Sequence, residues 1–287
     1  MAQVAVVTDT THYLPADLAA QHDLHLVSLY VRFGDHLERE SEMADFQAFY
    51  DRLRSAKELP TTSQPSIGDF VEVYEPLLDA GRDIVSLHIS GGISGTYDSA
   101  RQAAGQCAER GHAGRIEVID SATACGGLGF VALAAAARAK AGGGLSEVAA
   151  HARAAREELK VWFAVDTLEY LRRGGRIGAA QAWIGGALKI KPILSIESEI
   201  TPVERVRTSG KAFERMVEYM RSRHADGADA WMVQHIQAHD QAERLVERGR
   251  EIFGSEPACV SEVGPVIGAH VGPGLVGVGG LPAKYLQ

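Results

Sequence analysis

The sequence predicts an α/β fold in two parts: a mostly parallel sheet covered by helices, followed by an α+β-like unit with antiparallel pairing. Three observations carry this expectation. Short β-branched runs alternate with amphipathic helical segments through the first half of the chain. In the second half, two apolar runs flank Glu197-Ser198-Glu199, a hairpin signal. The 287 residues are 46% hydrophobic and 23% charged, a globular balance sufficient for one large or two modest domains. The change of pattern places a boundary near Leu159, giving domains 1–159 and 160–287.

In order along the chain, Val4 to Thr8 is a short strand ended by Asp9, and Leu24 to Phe33 reads as a second strand region. Asp45 can cap a helix over Phe46 to Arg54, before a loop bounded by Pro60 and Pro65. Ser66 with Asp69 three residues on forms a capping-box pattern. Phe70, Val73, Tyr74 and Leu77 then mark one apolar helix face, which Gly81 ends. Ile84 to Ile89 is a buried strand, Ser90 to Gly95 a glycine-rich turn, and Thr96 to Glu109 a helix. Ile116 to Ile119 is another strand, Gly126 to Lys140 an Ala-rich helix broken by Gly142 to Gly144, and Ser146 to Leu159 a further helix.

Val161 to Val165 opens the second half as a strand, and Asp166 or Thr167 caps a helix reaching Arg173, stopped by Gly174-Gly175. The hairpin runs from Ile190 to Val206, and Phe213, Met216, Val217 and Met220 mark the next helix. Ala230 to Ile236 and Ala258 to Val263 are strands around a helix from Gln241 to Phe253. The remainder reads as a Gly/Pro-rich tail in which His270 follows no helix or strand period.

Charge and composition exclude several functions. Lys plus Arg total 29 against 37 Asp plus Glu, a net charge of −8. That sign disfavours nucleic-acid binding, which relies on cations neutralising phosphates, and disfavours coating of anionic membranes. The longest apolar run, around Gly126 to Ala137, is too short and too rich in Ala and Gly to span a bilayer, so stable membrane insertion is not expected. Met1 to Asp9 has no basic leader region, and Cys107, Cys125 and Cys259 are far apart with no CxxC. Reduced thiols and a cytoplasmic location are the expectation. No phosphate-binding P-loop, complete G-x-S-x-G elbow or complete dinucleotide fingerprint is present, and no H-E-x-x-H or Cys/His cluster suggests a metal.

Three stretches could carry chemistry. Ser94-Gly95-Thr96-Tyr97 follows a buried strand and opens a helix, where free backbone N–H groups favour an anion. Ser94 can donate to a carboxylate or phosphate there, or it can simply cap the helix, and the sequence supports both equally. Thr62 stands in a proline-bounded loop with no evident core role, and His270 stands among glycines that free the backbone to approach something closely. Leu171 to Arg176 concentrates three guanidinium groups at a helix end, suited either to the helix dipole or to bidentate recognition of an anion. Arg205 and Arg207 share one face of a predicted strand.

In this order, Val7-Thr8-Asp9, Thr62-Ser63-Gln64-Pro65-Ser66, Ser94-Gly95-Thr96-Tyr97, Val118-Ile119-Asp120-Ser121, Asp166 to Leu171, Gly174 to Gly178, Ile190 to Leu194 and Ile267 to Gly274 resemble the DegV family over nearly the whole chain. The resemblance implies two α/β domains with a long-chain fatty acid in an apolar tunnel and its carboxylate at the domain junction. Thr62, Ser94 and His270 would hold the carboxylate, helped by the Gly95 amide. The resemblance further implies a non-catalytic subunit without a cofactor. A separate ATP-binding fatty-acid kinase subunit would convert the bound lipid to an acyl phosphate. Arg173, Arg176 and Arg207 match family arginines that dock the kinase or steady the added phosphate. Thr10 in place of Ser, the segment Glu38 to Met43 and the Gly-rich tail Gly277 to Gln287 depart from the family pattern. Two other readings remain: a lipid hydrolase using Ser94 with His270, and a phosphate-ligand binder using the Ser90 to Gly95 loop.

Overall fold

The computed structural model describes residues 3–43, 45–184 and 190–287. Met1 and Ala2, the start of the segment read as lacking a leader, lie outside the described residues. The described residues build three sheets. The first is a four-stranded parallel sheet of β1 (Val4–Asp9), β2 (Leu24–Val27), β6 (Asp83–His88) and β7 (Ile116–Asp120), in the order β2-β1-β6-β7. The second is a small antiparallel sheet of β3 (Tyr30–Phe33), β4 (His36–Arg39) and β5 (Thr61–Ser63), with β3 central. The third has six strands in the order β10-β9-β8-β13-β11-β12, from β8 (Lys160–Ala164), β9 (Lys191–Glu197), β10 (Glu199–Val206), β11 (Ala230–His235), β12 (Cys259–Glu262) and β13 (Val276–Leu281). Its pairs are antiparallel except β11 with β12.

The parallel sheet follows from its strands' composition. All of β1 is buried, as expected of a strand covered by helices on both faces. Val4 and Val6 turn toward one side with Leu128 and Val131, while Ala5 and Val7 turn toward the other with Phe70, Tyr74 and Ala103. The alternation places the Ala-rich helix Gly126–Lys140 against one face and the helices Ile67–Asp79 and Thr96–Cys107 against the other. Ser66 Oγ accepts from Asp69 N at 3.1 Å and Asp69 accepts from Ser66 N at 2.8 Å, the reciprocal cap that the spacing predicts. Such a cap stabilises a helix by about 1 kcal/mol.

The strands of the parallel sheet precede Leu159 and those of the six-stranded sheet follow it. One buried cluster nevertheless runs through both, joining Val85 and Leu128 to Phe163, Met232 and Val263. The β9–β10 hairpin adds a polar seam. Its turn residue Ser198, at φ 71°, donates N–H to Ala122 O and accepts from Ser90 Oγ.

The structure corrects three expectations. The region Leu24 to Phe33 is two strands in two sheets, because the chain leaves the parallel sheet after Val27 and pairs β3 with β4 and β5 instead. Thr62, expected in a loop, lies on β5 opposite Val31. The expected Gly/Pro-rich tail contains a helix, Pro265–Val271, and an entirely buried strand, β13, paired on both edges. Glycine is what lets β13 fit. A Cβ at Gly279 would stand 2.8 Å from Met232 Cε and 2.9 Å from Val161 Cγ2.

Candidate functional site

The helix Pro265–Val271 carries His270, and its seat is built from glycine. Gly264, Gly268 and Gly272 recur every fourth residue, so they share one face. A Cβ on each would fall 2.6 Å from Tyr13, 2.3 Å from Tyr50 Oη and 2.3 Å from Tyr170, respectively. Three tyrosines from different elements therefore press directly on the helix backbone. Tyr50 Oη donates to Val263 O at 2.6 Å. Tyr13 Oη donates to Glu40 Oε1 at 2.7 Å, and Val266 N donates to the same oxygen at 2.8 Å. Glu40 is buried, and desolvation pushes its carboxyl up to about 7 against these donors.

This seating places His270 against β5. His270 Nε2 and Thr62 Oγ1 lie 2.7 Å apart. Burial, reinforced by the positive charge of Arg176, lowers the imidazole to about 4, so the ring is neutral near pH 7. His270 Nδ1 is buried without a hydrogen-bond partner among the described residues. It packs on Gly174, where a Cβ would come within 2.4 Å of that nitrogen.

Thr62 and His270 line a cavity whose non-atom space, open mouth included, is about 1010 Å³. Phe163, Ile196 and Met232 of the six-stranded sheet contribute its apolar walls, together with Ile89 just after β6, Val263 just after β12 and Leu275 just before β13. Ser94 also lines it. Ser94 Oγ lies 2.8 Å from Thr96 Oγ1 and accepts from Thr96 N at 3.3 Å, so the serine supports the helix start while facing the cavity. Gly95 follows Ser94 in the chain but lines a separate surface cleft rather than the cavity, and it packs on Gln64, whose amide would lie 2.6 to 2.8 Å from a Cβ there.

The arginines separate. Arg172 is ion-paired with Glu169, at 2.7 and 3.0 Å. Arg176 has no carboxylate partner among the described residues. It donates to Gly174 O at 2.8 Å and Ile93 O at 3.3 Å and borders the cavity. Arg173 and Arg176 line a surface cleft that also includes Thr62 and His270. Arg207, exposed just beyond the end of β10, lines neither the cavity nor this cleft.

Other groups at the site carry little local sequence signal. Gln64 lines the cavity from within a stretch that the sequence singles out for Thr62. Gln234, also lining it, accepts from Gly126 N and donates to Ser261 Oγ, so its amide is already engaged. Glu40 sits in an acidic run and nothing local marks it as buried; the four-residue glycine spacing around His270 is the signal that could have revealed its helix.

A profile described as the uncharacterised protein family DegV matches residues 3–283. The chain belongs to the DegV family. Its similarity to a DegV domain-containing protein of Streptomyces coelicolor is 42% identity, covering 96% of this chain and 97% of that protein. Among solved structures it is similar to DegV from Bacillus subtilis, described as a fatty acid binding protein: 35% identity, TM-score 0.87, 98% of this chain and 100% of that one. A fatty-acid-binding DegV family protein from Thermus thermophilus matches at 34% identity and TM-score 0.87, over 98% of this chain and 99% of that one. The mixed α/β architecture of this DegV chain is thus that of its solved relatives.

Proposed function

We propose that this DegV-family chain binds a long-chain fatty acid and presents it, as a non-catalytic cytoplasmic subunit, to a separate ATP-dependent fatty-acid kinase that forms the acyl phosphate. The observation that carries the reading is the largely apolar cavity lined by the Thr62–His270 pair. Fatty-acid binding by the Bacillus subtilis and Thermus thermophilus relatives supports it. The acyl chain would lie between residues 1–159 and 160–287, taken as two domains. Each CH₂ removed from water contributes about 0.8 kcal/mol, which offsets ordering costs on the order of several kcal/mol.

Thr62, Ser94, Gly95 N–H and His270 form the carboxylate site, with His270 acting through Thr62. His270 Nδ1 faces Gly174 and finds no acceptor, so the proton belongs on Nε2. Nε2–H then donates to Thr62 Oγ1, which frees the threonine hydroxyl proton for the carboxylate. A neutral donor set of this kind binds an anion without burying a lysine. Arg173 and Arg176, beside Thr62 and His270, suit an acyl phosphate or an acidic kinase surface. Arg207 stands apart and would act only through a partner that reaches it.

Delipidated protein should take up one long-chain fatty acid with a rise in melting temperature, and should not hydrolyse lipid esters. Ester turnover abolished by Ser94→Ala would favour the hydrolase instead. That alternative lacks its base here: among the described residues His270 is bonded to Thr62 and not to Ser94, and no acid orients its Nδ1.

A further inference from the structure

Away from the cavity, the carboxyl ends of β11 and β12 bring together two imidazoles and a carboxylate. His235 ends β11, Glu262 ends β12 and is its registered partner, and His239 begins the helix His239–Phe253. One potential ligand atom from each of the three lies within 4.8 Å of the others. We propose that His235, His239 and Glu262 form a binding site for a divalent transition-metal ion, zinc being the class of cation that best suits two imidazoles and one carboxylate.

Two further observations support a built site. His235 is only 6% exposed, yet its Nδ1 is buried with no hydrogen-bond partner among the described residues. A buried nitrogen left bare is unusual where the fold alone decides. The carboxylate is also held in place. Gln237 donates to Glu262 Oε1 through its backbone N–H at 3.1 Å and its side-chain amide at 2.6 Å, and Arg54 donates to Gln237 Oε1 at 3.3 Å. Both bonds fall on Oε1, which leaves Oε2 for the cation. Orienting bonds of this kind to a ligating carboxylate are what metal sites use to fix their geometry. Gln237 adopts φ 51°, so the link between the two histidines turns sharply enough to bring His239 back toward His235. The rings meet edge to face with centroids 4.5 Å apart. Zinc would draw the ligand atoms to about 3.4 Å, the edge of a tetrahedron with bonds of roughly 2.1 Å. His239 and Glu262 are not buried, so side-chain rotation suffices. Three protein ligands leave a coordination position for water or another donor.

The test is calorimetric titration of the chelator-treated protein with zinc chloride, alongside His239→Ala and Glu262→Gln. His239 is exposed and the glutamine keeps an oxygen for Gln237, so both variants retain the fold, checked by unchanged melting temperatures without metal. The expected result is one equivalent of zinc bound by the parent protein, at least roughly tenfold weaker binding in each variant, and a zinc-induced rise in melting temperature that both variants lose. No saturable binding, or binding of the same stoichiometry and affinity in both variants, overturns the proposal.

Discussion

Thr62 Oγ1 and His270 Nε2, 208 residues apart in sequence, lie 2.7 Å from each other in the wall of a largely apolar cavity. Neither side chain can be placed by its neighbours alone. Thr62 is held by β5 pairing with β3, and His270 by a short helix seated on three tyrosines. The contact joins the small antiparallel sheet to the segment that follows β12.

Replacing Thr62 with valine keeps the shape and the strand preference and removes only the hydroxyl. Fatty-acid affinity should fall roughly tenfold to a hundredfold, as expected for a hydrogen bond to a charged group, and stability should fall by about 1–3 kcal/mol because His270 Nε2–H loses its partner. Titration with a long-chain fatty acid and thermal melts of the same protein separate the two effects. An unchanged affinity would remove Thr62 from the carboxylate site.

Gly174→Ala sets a Cβ against His270 Nδ1 and 3.1 Å from Tyr170 O. The His270 ring must move, so the variant should lose about 1–3 kcal/mol of stability together with most fatty-acid binding. Gly175→Ala meets no atom within 4 Å but stands at φ 70°, so it should show backbone strain without the loss of binding. Comparing the two by melting and lipid titration isolates the contact with His270.

Gly268→Ala drives a Cβ into the Tyr50 hydroxyl, a buried group that donates to Val263 O. The helix Pro265–Val271 then loses its seat, and a destabilisation of about 2–4 kcal/mol follows from overpacking and a broken buried hydrogen bond. Denaturant unfolding measures it directly. A change below roughly 0.5 kcal/mol, the usual size for a substitution away from such features, would mean that the glycine face is not a packing interface.

The pH dependence of stability has opposing parts. Glu40 rises from 4.5 to about 7 in the fold, so its contribution is fully present below 4.5 and is lost as pH climbs through 7. His270 falls from 6.5 to about 4, so its contribution is present above 6.5 and is lost as pH drops toward 4. Between pH 4.5 and 6.5 the two slopes have opposite sign. Glu40→Gln keeps an acceptor for Tyr13 and Val266 N–H and removes only the titration. Its stability should rise with pH more steeply than the parent's, by about 1.4 kcal/mol per unit in that window. His270→Gln should be shallower by a similar amount. Unfolding series at several pH values check both, and parallel curves would contradict the assignment.

The physics of what was legible in sequence is visible in these elements. β1 and the helix Ile67–Asp79 could be read because their burial and caps are local: a continuous β-branched run, and a serine and an aspartate three residues apart. Thr62, Ser94 and His270 were marked by their settings and by the family resemblance, and the fold brings them to one cavity. The strand β13 was not legible because three of its six residues are glycine, chosen for close approach to Met232 and Val161, partners distant in sequence. The helix under His270 was hidden for a related reason, since the side that meets the three tyrosines is glycine at Gly264, Gly268 and Gly272, although Val266, Ala269 and Val271 are buried beside it. The break in Leu24 to Phe33 depends on which strands it finds as partners, which no local pattern specifies. Arg207 shares a motif-level resemblance with Arg173 and Arg176, yet it ends on a different part of the surface because β10 closes its hairpin at Val206.

The most direct test is mass spectrometry of the purified protein, first under native conditions and then after organic extraction, with a Thr62→Ala/Ser94→Ala double variant alongside. The account predicts one long-chain fatty acid per chain in the parent protein and its loss from the double variant. A parent protein that carries no lipid and also fails to take up added fatty acids would contradict it.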